Sequence, residues 1–200
     1  MSADTLSPRL ATLLALQRAE EPETAILLQE VAPRDLVRGL EDGTYDAGIA
    51  LATTTTAFAM NAQPLWADEL ALAVPLRSPL LAYPEVPLDA LLRYPLLQWC
   101  LRACDALSEQ VAARFGPEMP PVREVTSFDL LAVLVAAGFA VGIAPRSHIA
   151  RARGRGIAMR PLANGPYLIG TQLLRKPHGS ARAVERFAER AVKVAATEAA

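Results

Sequence analysis

The sequence predicts an α/β protein whose parallel strands are covered by helices on both faces. Strand-length and helix-length patterns alternate along the 200 residues. The strand-like segments are continuous apolar runs, which is the pattern of strands buried on both faces. Hydrophobic residues make up 52% of the chain, which is enough for a sizeable core. Ligands of such folds bind outside the carboxyl ends of the strands, so we expect a site where strands pass into helices.

The elements of the first half are bounded by local start and stop signals. Ser7 and Pro8 begin the first helix, because a serine can cap it and a proline costs nothing at its first position. Pro33 begins a second helix, and Gly43 can adopt the left-handed conformation that ends it. The predicted elements are a helix from 8 to about 22, a strand 25–31, a helix 33–43, a strand 45–51 and one or two strands within 64–75.

The second half begins after a group of four prolines, at positions 75, 79, 84 and 87. Because prolines interrupt regular structure, segment 74–87 is the best candidate for a crossing between two lobes. The elements predicted after it are a helix 88–93, a strand 96–99, a helix 103–115, a strand 123–125, a helix 127–137, strands 141–144, 157–162 and 167–174, and a helix 180–196.

Charge and composition exclude several classes of protein. The net charge is −1, so the chain lacks the positive field that nonspecific nucleic-acid binding needs, although its first half is acidic and its second half basic. The longest apolar stretch, 130–144, is shorter than the roughly 20 residues that cross a bilayer. Two cysteines cannot form a disulfide framework, and no secretory signal is evident. We therefore expect a cytoplasmic protein with no membrane partner.

The sequence offers little evidence for catalysis. Cys100 and Cys104 lie where a strand passes into a helix, which can lower a thiol pKa, but both also fit as buried apolar side chains. His148 and His178 belong to no metal-ligand or base motif. Neither a phosphate-binding glycine loop nor a zinc motif is present, so we expect no cofactor, no metal and no enzyme activity.

Polar residues cluster at three predicted helix starts. The N–H groups of a first turn are unpaired and carry partial positive charge, so these positions suit a carboxylate or another anion. Ordinary helix capping explains each serine or threonine taken alone. The residues are Thr5 and Ser7; Trp99, Cys100 and Arg102; and Thr126, Ser127 and Phe128.

Three longer stretches carry a family resemblance. They are EVAPRDLVRGLEDGTYDAGIAL at 30–51, PLWADELALAVPLRSPL at 64–80 and LVAAGFAVGIAP at 134–145. In this order and spacing they resemble the effector-binding regulatory domain of LysR-type transcriptional regulators, and the resemblance covers nearly all of the chain.

The resemblance implies two Rossmann-like lobes, as in type 2 periplasmic binding proteins. Lobe I would combine 1–75 with 163–200, and lobe II would be 76–162. The family's first strand of lobe I and its winged helix-turn-helix domain would both precede Met1, so the first strand would be missing and DNA would be bound only through the absent domain. The resemblance also implies a homodimer formed by the regulatory domain.

The resemblance further implies an effector site in the cleft between the lobes. The matched positions are Ser2, Ala3, Thr5, Thr53, Trp99, Cys100, Arg102, Thr126, Ser127 and Phe128. We expect a small effector that is anionic or an aromatic acid, with Arg102 as a candidate for its charge partner. An exposed ion pair between Arg102 and Asp105 is the alternative for that arginine.

Two other functions remain compatible with the residues. One is a free-standing solute-binding protein of the same fold that delivers its ligand to a transporter. The other is an enzyme that uses Cys100 as a nucleophile. Fold alone does not decide between such uses.

Overall fold

The computed structural model describes residues 7–52, 60–99, 122–125, 127–152, 154–176 and 181–197. These residues fall into two compact units, unit 1 from 1–67 and 170–200, and unit 2 from 68–169. The lobe boundaries expected from the sequence, at 75/76 and 162/163, stay a prediction. Within the described residues, no helix is both long and apolar enough to cross a membrane.

Helices and strands alternate along most of the described chain. The helices are α1 (Pro8–Glu20), α2 (Pro33–Asp42), α3 (Leu88–Leu91), α4 (Phe128–Ala136), α5 (Arg146–Arg151) and α6 (Arg182–Thr197), with a 3-10 helix at Pro79–Ala82. The strands are β1 (Ala47–Leu51), β2 (Asn61–Pro75), β3 (Leu96–Trp99), β4 (Val122–Val125), β5 (Val141–Pro145), β6 (Ile157–Pro161) and β7 (Leu168–Arg175).

Unit 1 is built around β7, which lies between β1 and β2. β1 pairs with β7 in antiparallel register, from Ala47 opposite Arg175 to Leu51 opposite Thr171. Two clusters of buried side chains pack on this sheet. The first cluster packs α1 and α6 on β1 and β7, and its members are Leu10, Leu13, Ile49, Leu173, Ala188, Ala191 and Val194. The second cluster packs α2 on the same strands, and its members are Leu36, Leu40, Ala50, Met60 and Leu174.

A buried polar network also connects α1 to α6. Arg190 donates from Nη1 to Gln17 Oε1 at 2.8 Å, and its Nη2 lies 2.9 Å from Glu21 Oε1. Its Nε donates to Glu20 Oε2 at 2.5 Å. Gln17 in turn donates from Nε2 to Glu21 Oε2 at 3.2 Å, so both ends of this buried amide are satisfied.

The arginines of this network stabilise the ionised form of Glu21. Hydrogen bonds from Arg186 and then from Arg190 lower the pKa of Glu21 to about 2. The hydrogen bonds to Glu21 and then to Glu20 raise the pKa of Arg190 above its ordinary value. The ion pair between Glu21 and Arg190 therefore persists at pH values below the ordinary pKa of a glutamate.

Unit 2 contains a mixed sheet in the order β2-β5-β3-β4, with β6 on β2. β3 is parallel to β4 and to β5, whereas β2 is antiparallel to β5 and to β6. Helix α4 packs on one face, where Leu97, Val125, Leu131 and Val135 are buried. Gly142 of β5 allows this close packing, because a Cβ there would lie 2.5 Å from Leu131 Cδ2.

The mixed sheet corrects the expectation of parallel strands throughout. Only β3, β4 and β5 are parallel to one another, and the other described pairs are antiparallel. A continuous apolar run reports burial on both faces of a strand and carries no information about the direction of its neighbours. The sequence left open whether 64–75 holds one strand or two, and the structure has a single strand there, β2, of 15 residues.

The predicted strand at 25–31 is wrong. The segment forms no strand, and Ile26, Leu27 and Leu28 are 42%, 85% and 50% exposed. A strand needs a neighbour to pair its backbone groups, and none of the described strands pairs with this segment. The remaining predicted elements within the described residues are confirmed to within a few residues, whereas the helix predicted at 103–115 lies outside them.

Candidate functional site

The parallel strands of unit 2 bring three strand ends to one edge. β3 ends at Trp99, β4 at Val125 and β5 at Pro145. Because β4 and β5 are both parallel to β3, these carboxyl ends share an edge of the sheet. Helix α5 follows β5 directly, and α4 begins three residues after the end of β4. This edge is where ligands of open α/β sheets bind.

Ser127 caps the N-terminus of α4. Its backbone is extended, its Oγ accepts from the N–H of Leu130 at 3.2 Å, and its carbonyl accepts from the N–H of Leu131 at 3.2 Å. The side chain is exposed, and its O–H remains a donor because Oγ acts as the acceptor for Leu130. A first turn lacks intrahelical acceptors for its N–H groups, so this helix start can bind an anion.

Phe128 links the start of α4 to α5. Its half-buried ring lies with its centroid 5.7 Å from that of His148, and the two planes meet at 64°. This is an edge-to-face contact. Phe128 also packs against the buried cluster beneath α4. The contact fixes the apolar side chain of the residue that follows Ser127 in the chain.

Two arginines near this edge form ion pairs with carboxylates. Asp129, in the first turn of α4, is paired with Arg155. Arg146 at the start of α5 is 2.9 Å from Glu69 Oε2, and Asp68 Oδ2 accepts from the N–H of Ser147 at 3.3 Å. Arg146 and Arg155, which both follow β5 in the chain, therefore have carboxylate partners.

Gln98 is a buried polar residue that the sequence analysis did not single out. It is the penultimate residue of β3 and only 2% exposed. Its Nε2 has no hydrogen-bond partner in the part of the chain that the structure describes. Leaving a buried donor unsatisfied costs about 1–3 kcal/mol. The signal in the sequence is a lone polar residue in the apolar strand LLQW, and sequence alone does not show whether such an amide is paired.

Three of the ten site residues expected from the sequence lie within the described parts of the chain. Ser127 and Phe128 are adjacent at the start of α4, and Trp99 is the last residue of β3, at the same edge. The predicted residues that lie outside the described parts of the chain are Ser2, Ala3, Thr5, Thr53, Cys100, Arg102 and Thr126. Their role in a site stays a prediction.

The described residues contain no group of three or more histidine, cysteine or acidic side chains that could hold a metal ion. The side chains that the structure places at the start of α4 are a hydroxyl and an aromatic ring. These groups suit recognition of a small molecule with an apolar part and an acceptor oxygen.

A family model matches the sequence along almost the whole chain. Residues 1–196 match the model of the LysR substrate binding domain. The chain belongs to this family. A LysR substrate binding domain has the type 2 periplasmic-binding-protein-like fold and is a ligand-sensing regulatory domain, not an enzyme. The alternative of an enzyme that uses Cys100 is therefore wrong. A comparison with curated proteins finds no significant match.

Solved LysR-type effector-binding domains have the same fold. An effector-binding domain of a BenM variant superposes with a TM-score of 0.85 at 19% identity, covering 99% of this chain and 93% of that one. The BenM domain with its effector benzoate gives 0.81 at 20%, covering 95% and 87%. The QuiR domain in complex with shikimate gives 0.82 at 16%, covering 98% and 94%. At these identities the similarity shows the fold alone.

Proposed function

We propose that this regulatory domain senses a small carboxylate at the carboxyl edge of β3 and β4. The observation that carries the proposal is the start of α4, where an exposed serine hydroxyl and first-turn N–H groups meet directly after a parallel strand. A carboxylate oxygen can accept from both kinds of donor, and the helix dipole favours its charge. Phe128, the next residue in the chain, would supply apolar contact for the remainder of the molecule.

The ligands of the structural neighbours support this chemical class. Benzoate, the effector of BenM, and shikimate, bound to QuiR, are both carboxylates with a six-membered ring. A ring next to a carboxylate would suit a helix start at which an aromatic residue follows the serine donor. The cleft between lobes that the sequence predicts as the site of the effector stays a prediction.

The regulator as a whole is proposed to act as a cytoplasmic homodimer that binds DNA through a separate N-terminal domain. Exposed apolar side chains support association with a second copy. Leu130 and Val133 of α4 and the nearby Phe139 are 42%, 64% and 72% exposed. Effector binding then acts on the regulator through its different affinities for alternative arrangements of the domain.

Isothermal titration with benzoate, shikimate and acetate tests the proposal. We expect at least one ring carboxylate to bind, and Ser127→Ala to weaken it by about 10-fold, because a hydrogen bond to a charged group is lost. Ser78→Ala is the matched control, since the Ser78 hydroxyl also caps a helix start, accepting from the N–H of Leu80 at 3.2 Å. Equal affinities for the wild type and Ser127→Ala would refute the assigned site.

A further inference from the structure

His148 of α5 contacts the first residue of α4. The ring centroids of His148 and Phe128 are 5.7 Å apart, and the two planes meet at 64°. Phe128 directly follows Ser127, the capping residue of α4, and its own N–H belongs to the first turn of that helix. The ring contact therefore links α5 to the helix start that carries the proposed carboxylate site.

The residues on both sides of His148 are held by other parts of unit 2. Asp68 Oδ2 of β2 accepts from the N–H of Ser147 at 3.3 Å. Ile149 is 2% exposed and belongs to the buried cluster beneath α4. Because the sheet holds the residue before it and the core holds the residue after it, His148 is a fixed support for the Phe128 ring.

The ring of Phe128 is held by two contacts. It is half-buried, and it packs against the buried cluster as well as against His148. A fixed side chain at this position restricts the adjoining backbone, which includes first-turn N–H groups. Donors that are ordered before binding lose less conformational entropy when a ligand arrives. Removal of the His148 ring would take away one of the two contacts and loosen the helix start.

We propose that His148 is a positioning residue of the effector site, which acts through Phe128 and does not contact the effector itself. This inference rests on the proposed function and adds to it a histidine for which the sequence analysis indicates no role. An edge-to-face ring pair corresponds to about 2- to 10-fold in an equilibrium constant, which bounds the effect expected on the Kd of the effector.

Two substitutions of His148 test the inference, with benzoate and shikimate titrated calorimetrically into each protein. His148→Ala removes the ring, and we expect the Kd of whichever probe binds the wild type to rise about 3- to 10-fold. His148→Phe keeps a ring but lacks the imidazole nitrogens, and its Kd is expected to stay within about 2-fold of the wild type. Thermal unfolding checks that each variant folds, and His148→Leu replaces His148→Ala if that variant does not.

Phe128→Leu provides the readout that is specific to positioning. Leucine removes the ring that His148 contacts, so His148→Ala should add little to the loss of affinity that Phe128→Leu causes by itself. A residue that only stabilised the fold would weaken binding by the same factor in both backgrounds.

Phe187→Ala is the matched control for a loss of stability. Phe187 of α6 is also a half-buried ring on a helix, and it packs against the cluster between α1 and α6. Its replacement is expected to lower the unfolding midpoint by several degrees, because a ring is removed from the core. The Kd is expected to stay unchanged, because Phe187 belongs to unit 1, whereas α4 and α5 belong to unit 2.

Each other outcome contradicts a specific statement. An unchanged Kd in His148→Ala, or an equally weak Kd in His148→Phe, overturns the inference and leaves the proposed function intact. A full additional loss from His148→Ala in the Phe128→Leu background also overturns it, because His148 then acts by another route. Failure of the wild type to bind either probe contradicts the proposed carboxylate site, and the inference falls with it.

Discussion

Arg190 provides a direct test of what holds α1 against α6. Its side chain is 8% exposed and contacts three side chains of α1 and its end, Gln17, Glu20 and Glu21. Arg190→Met keeps much of the apolar stem while removing the guanidinium. The variant therefore leaves the buried amide of Gln17 without the donor to its oxygen.

The magnitude follows from the burial of each contact. The hydrogen bond from the charged Nη1 to Gln17 is buried, so its loss costs about 1.5–3 kcal/mol. The pair with Glu20 adds less than about 1 kcal/mol, because that carboxylate is 43% exposed. Glu21, 13% exposed, loses one of its two arginines. We expect Arg190→Met to lower the free energy of unfolding by about 3 kcal/mol, near the low end for breaking a buried ion pair.

Urea denaturation followed by circular dichroism measures this loss, and thermal unfolding should show a midpoint about 6–12 °C lower. Arg186→Met is the control, because Arg186 is 39% exposed and its partner Glu21 keeps Arg190. The control is expected to lose less than about 1 kcal/mol. If Arg190→Met is no less stable than Arg186→Met, burial does not govern this network and the reasoning is wrong.

Two further perturbations follow from the same structure. Because Arg186 and Arg190 lower the pKa of Glu21 to about 2, its ionised form stabilises the fold above the ordinary pKa of 4.5, and this contribution is lost as the pH falls toward 2. The unfolding free energy of Glu21→Gln should therefore fall less steeply than that of the wild type between pH 4.5 and pH 2. An equally steep fall in both proteins would contradict this. Gly142→Ala should lower the free energy of unfolding, measured by urea denaturation, by about 1–3 kcal/mol, because the new Cβ would lie 2.5 Å from Cδ2 of buried Leu131. The same substitution should lower it by less in a Leu131→Ala background, and an equal loss in both backgrounds would exclude this contact as the cause.

Elements with local boundary signals could be predicted from the sequence. Ser7 caps α1 with its Oγ, and Gly43 ends α2 with φ at +86°. Ser127 caps α4, and Gly138 follows that helix with φ at +80°. Capping and left-handed backbone depend on residues adjacent in the chain, so a single sequence contains the information that places these helices.

Strand pairing could not be predicted in the same way. The segment 25–31 has the composition of a strand, yet it forms none, because pairing depends on a neighbour that may be distant in sequence. β1 illustrates the distance, since its partner β7 lies more than 100 residues later. The candidate site suffers from the same limit: local sequence places Ser127 at a helix start, but only the strand directions bring β3 and β4 to one edge.

Gln17 and Gln98 show why buried polar residues need the fold for their interpretation. Each is the lone amide in an apolar stripe, one in α1 and the other in β3, and each is almost fully buried. Gln17 is satisfied by Arg190, which is 173 residues away in sequence, whereas the Nε2 of Gln98 has no partner among the described residues. Replacement by methionine should therefore lower stability at position 17 and leave it unchanged or raise it at position 98, because only the amide at position 17 makes hydrogen bonds with described residues.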